Sequence, residues 1–139
     1  MSESLTFHAN GKLLLTGEYA ILKGATGLAL PLKMGQQMII EDAPAEGVFW
    51  RALTPSGIWF EATFNNQLEL KRTTSPSHAE KLRQILIAAE AQNLIAMQLL
   101  QNKSVTTQLE FEPDWGWGSS STLLHLLEQW LKINPYQLM

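Results

Sequence analysis

The chain has 139 residues, 45% of them hydrophobic and 17% charged, the balance of one folded domain with a real core. Its 10 basic and 13 acidic residues leave a net charge of −3, and with no basic run this argues against a nucleic-acid partner. No cysteine is present, which excludes disulfides, thiolate metal sites and cysteine nucleophiles.

The opening MSESLTFHANGK lacks the charged and apolar regions of a secretory signal. No apolar stretch approaches the roughly 20 residues of a membrane span. A cytoplasmic protein without a membrane partner is the expectation.

Leu5 to Ala9 alternates apolar and polar side chains and predicts a strand, with Asn10-Gly11 as a turn or bulge. Lys12 to Thr16 is apolar enough for a buried strand. Leu28 to Ile40 reads as one long or bulged strand, in which Pro31 and Gly35 mark an edge or a bend. Val48–Leu53 and Ile58–Phe64 flank Thr54-Pro55-Ser56-Gly57 and predict a hairpin. Asn65-Asn66 offers a second turn before a strand over 67–71, giving an antiparallel meander.

Thr73 to Ser77 leads into a helix, with Ser77 as N-cap and Glu80 at capping-box spacing. Leu82, Ile85, Leu86 and Ala89 then recur at helical period and form one buried stripe. A short helical turn over 93–101, a strand over 104–111 and a helix over about 120–132 follow. Asn134-Pro135 starts a further turn. The order favours an α+β domain with helices packed on one sheet face.

The stretch PDWGWGSSSTLL, residues 113–124, carries the strongest chemical signal. Gly116 and Gly118 leave backbone N–H groups unobstructed, and Ser119, Ser120, Ser121 and Thr122 stand where a helix begins. A helix N-terminus presents unpaired N–H groups and partial positive charge, which attract phosphate. Serine hydroxyls there can bond phosphate oxygens or ligate Mg²⁺. Trp115 and Trp117 flank this loop and could wall a nucleotide pocket. The same residues also suit a tight turn followed by an ordinary serine N-cap, and both readings stand.

The Walker A loop is excluded because no lysine follows Gly118, and the dinucleotide fingerprint because Ser121 stands where its third glycine belongs. Lys12 and Glu18 are charges embedded in apolar sequence, either paired with a ligand or simply facing solvent. His8, His78 and His125 have no metal-ligand spacing and read as surface or helix-face side chains. Glu41-Asp42 and Glu110/Glu112 form no recognisable acid–base pair. Trp50, Trp59 and Trp130 read as core or rim residues.

Two stretches together say more than either alone. NGKLLLTGEYAILKGATGLALP resembles the N-terminal motif of GHMP kinases, especially the mevalonate and phosphomevalonate kinase branch. PDWGWGSSSTLL resembles their ATP phosphate-binding loop, P-x-x-x-G-L-G-S-S-A, in the family's order and at about its spacing. The resemblance implies an α+β N-terminal kinase domain (ribosomal protein S5 domain 2-like), a mostly antiparallel sheet with helices on one face.

It also implies transfer of the ATP γ-phosphate to an alcohol or phosphate monoester, with ATP and Mg²⁺ as cofactors. By position, Gly116, Trp117, Gly118, Ser119, Ser120 and Ser121 would hold the triphosphate, and Ser120 the Mg²⁺. Lys12 would lie near the transferred phosphoryl group and Glu18 would line the acceptor site. Asn10 stands where the family usually has proline, Trp117 replaces leucine, and Ser121-Thr122 replaces an alanine pair. The step from Pro113 to Gly116 is one residue short, and such variants fit a divergent bacterial branch, the GYDIA-type.

Members of the family run to roughly twice this length in two domains. Their catalytic aspartate and third glycine-rich motif would lie beyond Met139. Residues 1–139 therefore read as a single N-terminal domain, truncated and inactive alone, with a homo-oligomer favoured by an uncovered sheet edge. The alternatives are a non-catalytic nucleotide- or anion-binding module and a structural α+β domain.

Overall fold

The computed structural model describes residues 4–15, 28–112 and 119–133, with the backbone alone at 12–15, 28–33 and 119–121. Six strands are described: β1 (Leu5–Leu15), β2 (Leu28–Asp42), β3 (Val48–Thr54), β4 (Gly57–Phe64), β5 (Leu70–Thr73) and β6 (Lys103–Leu109). Three helices accompany them: α1 (Pro76–Gln92), α2 (Leu94–Leu100) and α3 (Ser119–Leu131). The strands form one sheet in the order β1-β2-β6-β3-β4-β5. The β3–β6 pair is parallel and the other pairs are antiparallel. The chain is therefore an α+β domain on a mixed sheet.

Strand register decides which side chains share a face. Phe7, Met38, Thr107, Ala52 and Phe60 form one cross-strand row; Leu5, Ile40, Val105, Trp50 and Ala62 form another. Most of these side chains join a single core with Leu82, Leu86 and Ala89 of α1 and Leu126, Leu127 and Trp130 of α3. The alternate row, Thr6, Ile39, Thr106, Arg51 and Glu61, turns away from it, with Arg51 Nε bonded to Glu61 Oε2 at 3.0 Å. Each large core side chain, such as the fully buried Phe64 and Phe111, contributes about 1.5–3 kcal/mol by leaving water.

The predicted hairpin forms as read, with Gly57 at φ 123°, a conformation that favours glycine. The expected bulge at Asn10-Gly11 is present and is asymmetric. Between the pairs Asn10–Gly35 and Lys12–Pro31, one residue of β1 faces three of β2. β2 thus bends at the proline–glycine segment, and its residues before 36 have no partner in β6. Gly35 is required there: a Cβ would run into the Ala9 carbonyl oxygen and lie 2.7 Å from the Asn10 Cα.

Two boundaries differ from expectation. α1 begins at Pro76, so Ser75 is its N-cap (φ −147°, extended) and Ser77 already lies inside the helix. Proline with its fixed φ suits the first helical position, where its missing N–H costs nothing. Glu80 pairs with Arg83 at 3.2 Å instead of closing a capping box. The strand placed at 67–71 is shifted to Leu70–Thr73, because Asn65 and a left-handed Leu68 (φ 61°) extend the turn. Leu68 is nonetheless fully buried, and its carbonyl accepts from Arg83 Nε at 2.7 Å.

Asn93 caps α2 by accepting from the Ile95 N–H at 2.9 Å. α3 spans Ser119–Leu131, close to the expected helix, and the turn at Asn134-Pro135 lies outside the described residues. No helix among the described residues is long and apolar enough to cross a membrane.

Candidate functional site

Long-range pairing brings Asn10 and Lys12 of β1 and the residues just before the glycine stretch to the same end of the sheet. The row that joins Asn10 to Gly35 is extended to Glu110, whose N–H donates to the Gly35 carbonyl at 2.9 Å. Lys12 follows two residues beyond Asn10 on β1, just past the bulge, with its backbone opposite Pro31. Glu112, the last described residue before the glycine stretch, accepts a 2.6 Å hydrogen bond from the Ser56 hydroxyl of the β3–β4 turn.

The two ends of the glycine stretch are held on adjacent residues of β2. Glu110 Oε1 accepts from the Gly35 N–H at 2.7 Å before the stretch. After it, Gln36 Nε2 donates to the Thr122 hydroxyl at 2.7 Å, and both side chains are buried. Ser119, Ser120 and Ser121 form the first turn of α3. Gly116, Trp117, Gly118 and Glu18, as well as Trp115, lie outside the described residues.

Glu110 also bonds His8 Nε2 at 2.9 Å. The His8 hydrogen bond, then the Gly35 N–H, hold its carboxyl below the ordinary value of 4.5, against a smaller opposing effect of burial. His8 itself is tied to α3, because Gln129 Nε2 donates to its carbonyl at 3.1 Å. β1, β2, the segment after β6 and α3 are thereby joined at this corner of the sheet.

Beside that corner lies a pocket of about 220 Å³. α3 covers β1 and β2, α1 covers β4 and β5, and the pocket is the space left between the helices. Its floor is the sheet, with Gln36, Thr107, Trp50, Ala52 and Phe60; Trp59 closes one side. His78, Lys81, Leu82 and Ile85 of α1 and Leu123 of α3 supply the helical walls. The His78 ring stacks on Phe60 (centroids 5.3 Å, 13° between planes) and meets Trp59 at 5.0 Å and 65°.

The aromatic walls suit a flat ring, and of the wall residues of α1 His78 lies in its first turn and Lys81 adds a positive charge at the rim. His78 was read in sequence as an ordinary helix-face histidine. Its spacing to Trp59 and Phe60 has no local period, so only the packing of α1 on β4 reveals the cluster. Trp50 and Trp59 do serve as core and rim, as their composition suggested.

Among the described residues, no group of three or more histidines and carboxylates is arranged to hold a metal ion. His125 reaches Glu128 at 3.4 Å and Asp42 pairs with Lys103 at 2.6 Å, both at the surface. The fold and the site thus define an α+β domain with an aromatic pocket, beside which β2 holds Glu110 and Thr122 on either side of the glycine stretch. No protein-family model matches the chain. No curated protein matches it either.

Proposed function

We propose that this chain is the N-terminal, ATP-binding part of a cytoplasmic GHMP-type small-molecule kinase that phosphorylates an alcohol or a phosphate monoester. The observation that carries this reading is the convergence of the two motif regions. The Lys12 backbone and Glu110, a residue shortly before the glycine stretch, are far apart in sequence, yet strand register and the Glu110–Gly35 bond bring them to one corner of the sheet. A turn-only role for the glycines requires no such meeting.

Phosphoryl transfer asks a protein chiefly for alignment and charge neutralisation. In this reading the N–H groups of the first turn of α3, together with Gly116, Trp117 and Gly118, cradle the triphosphate. Ser119 and Ser121 bond phosphate oxygens, Ser120 holds Mg²⁺, and Lys12 approaches the transferred group while Glu18 lines the acceptor site. Bound Mg²⁺ supplies positive charge at the phosphate oxygens. A hydroxyl with phosphate oxygens is a suitable hard-oxygen donor set for that ion.

The aromatic pocket supports the nucleotide part of the reading. Leu123, on its wall, follows Ser119 by four residues, about 6 Å along a helix axis. A ring in the pocket and phosphates at the helix start are therefore within the span of one nucleotide. The gap of about 220 Å³ is below the roughly 300–1,000 Å³ of pockets for whole drug-sized ligands, so it suits the base alone.

Isothermal titration with ATP–Mg²⁺, run beside a phosphoryl-transfer assay on mevalonate and phosphomevalonate, tests the proposal. Saturable ATP–Mg²⁺ binding is expected. Absence of nucleotide binding would overturn the reading, whereas binding without turnover is the outcome expected of residues 1–139 as the ATP-binding part alone.

A further inference from the structure

Ser75 departs from the usual behaviour of an N-cap. A capping serine normally accepts from a backbone N–H of the first helical turn. Ser75 makes no such bond. Its hydroxyl lies 2.7 Å from His78 Nδ1 instead. The imidazole is thus fixed by Ser75 at one nitrogen, by Phe60 on its face and by Trp59 at its side. Its other nitrogen, Nε2, bonds no described residue, while the side chain lines the pocket.

Neutral imidazole carries its proton on one nitrogen, and a hydrogen bond at one nitrogen selects the tautomer. A hydroxyl donating to Nδ1 keeps the proton on Nε2 and makes that nitrogen a donor. We propose that His78 is the base-recognition residue of the pocket, donating from Nε2 to a ring nitrogen of adenine, with Ser75 as its positioning residue. This rests on the nucleotide reading above. Adenine fits because it is flat, which the aromatic walls require, and because its ring nitrogens are acceptors at the edge. Its hydrogen bond to an already immobilised side chain loses little further entropy.

The test compares ATP–Mg²⁺ with tripolyphosphate–Mg²⁺, which has the phosphates and no base, by isothermal titration. The protein should bind ATP at least tenfold more tightly than tripolyphosphate. His78→Phe keeps the stacking and removes the donor. It should weaken ATP about tenfold, the worth of one good hydrogen bond, and leave tripolyphosphate unchanged. Ser75→Ala should lose part of that affinity and Ser75→Thr should regain it. Nitrogen-15 NMR of the neutral His78 ring should find the proton on Nε2 in the parent and in Ser75→Thr, and a tautomer mixture in Ser75→Ala.

Unchanged ATP affinity in His78→Phe, or the proton on Nδ1 in the parent, would overturn the proposal. Equal binding of ATP and tripolyphosphate would overturn it while leaving the phosphate cradle standing. Binding of neither would remove the nucleotide reading and this proposal together.

Discussion

Gln36 donates its side-chain amide to the Thr122 hydroxyl at 2.7 Å, joining residues 86 positions apart in a buried bond. Its neighbour Gly35 holds Glu110 from the other side of the glycine stretch. β2 therefore acts as the anchor for both flanks of the stretch, and several consequences can be measured.

Thr122→Val keeps the shape of the side chain and removes the acceptor for Gln36. Loss of one buried hydrogen bond costs about 0.5–1.5 kcal/mol. Urea denaturation should show that loss, and Gln36→Leu combined with Thr122→Val should lose less than the sum of the two single changes. An additive double variant would show that the two side chains do not act as a pair.

Gly35→Ala places a methyl group against the backbone of Ala9 and Asn10, which cannot swing aside as a side chain would. Overpacking of this kind costs about 1–3 kcal/mol. The expected result is a lower urea midpoint. A midpoint equal to that of the parent would mean that β1 and β2 separate freely at the bulge.

Glu110 titrates below its ordinary value because His8 and the Gly35 N–H bond its ionised form. A carboxyl depressed in the folded state contributes stability above its unfolded pKa, and that contribution disappears as pH falls through the folded value. Glu110→Gln should thus lower the urea midpoint at pH 7. The gap between variant and parent should close as the pH drops below 4.5. A gap that stays constant with pH would show that ionisation of Glu110 is irrelevant. The effect is expected to be small, since His8 and Glu110 are each 44% exposed and water screens the pair.

Ser120→Ala removes the hydroxyl assigned to Mg²⁺ in the proposed kinase. Loss of one such charge-stabilising group typically costs roughly 100- to 1,000-fold in turnover, and the phosphoryl-transfer rate of the proposed kinase should fall by that order. Activity equal to the parent would remove Ser120 from the metal site. Circular dichroism of the variant should be unchanged, because alanine is at least as good a helix former as serine.

The parts of this protein legible in its sequence were those governed by short-range geometry. Alternation over Leu5–Ala9 marked the start of β1, the Thr54–Gly57 turn marked the β3–β4 hairpin, and the spacing of Leu82, Leu86 and Ala89 marked the buried stripe of α1. Each depends on side-chain direction repeating every 2 or about 3.6 residues. The bulge at Asn10-Gly11 was legible for an equally local reason, because glycine frees the backbone to leave the regular strand there. The start of α1 was misplaced by two residues, where the fixed φ of Pro76 outweighed the better-looking Ser77–Glu80 spacing.

Strand order needed the tertiary structure. β6 inserts between β2 and β3 and runs parallel to β3, a pairing that no local pattern encodes because it depends on how the chain returns after α1 and α2. That insertion places Thr107 on the floor of the pocket and brings Glu110 to Gly35, and α1 then delivers His78 onto Phe60. The sequence by itself determined which segments are strands and helices, and singled out the two stretches for which phosphate binding is proposed. Only the tertiary structure decided that Glu110 and Thr122, on either side of the glycine stretch, are both held by β2 beside an aromatic pocket, since side-chain period fixes a face while long-range packing fixes what that face touches.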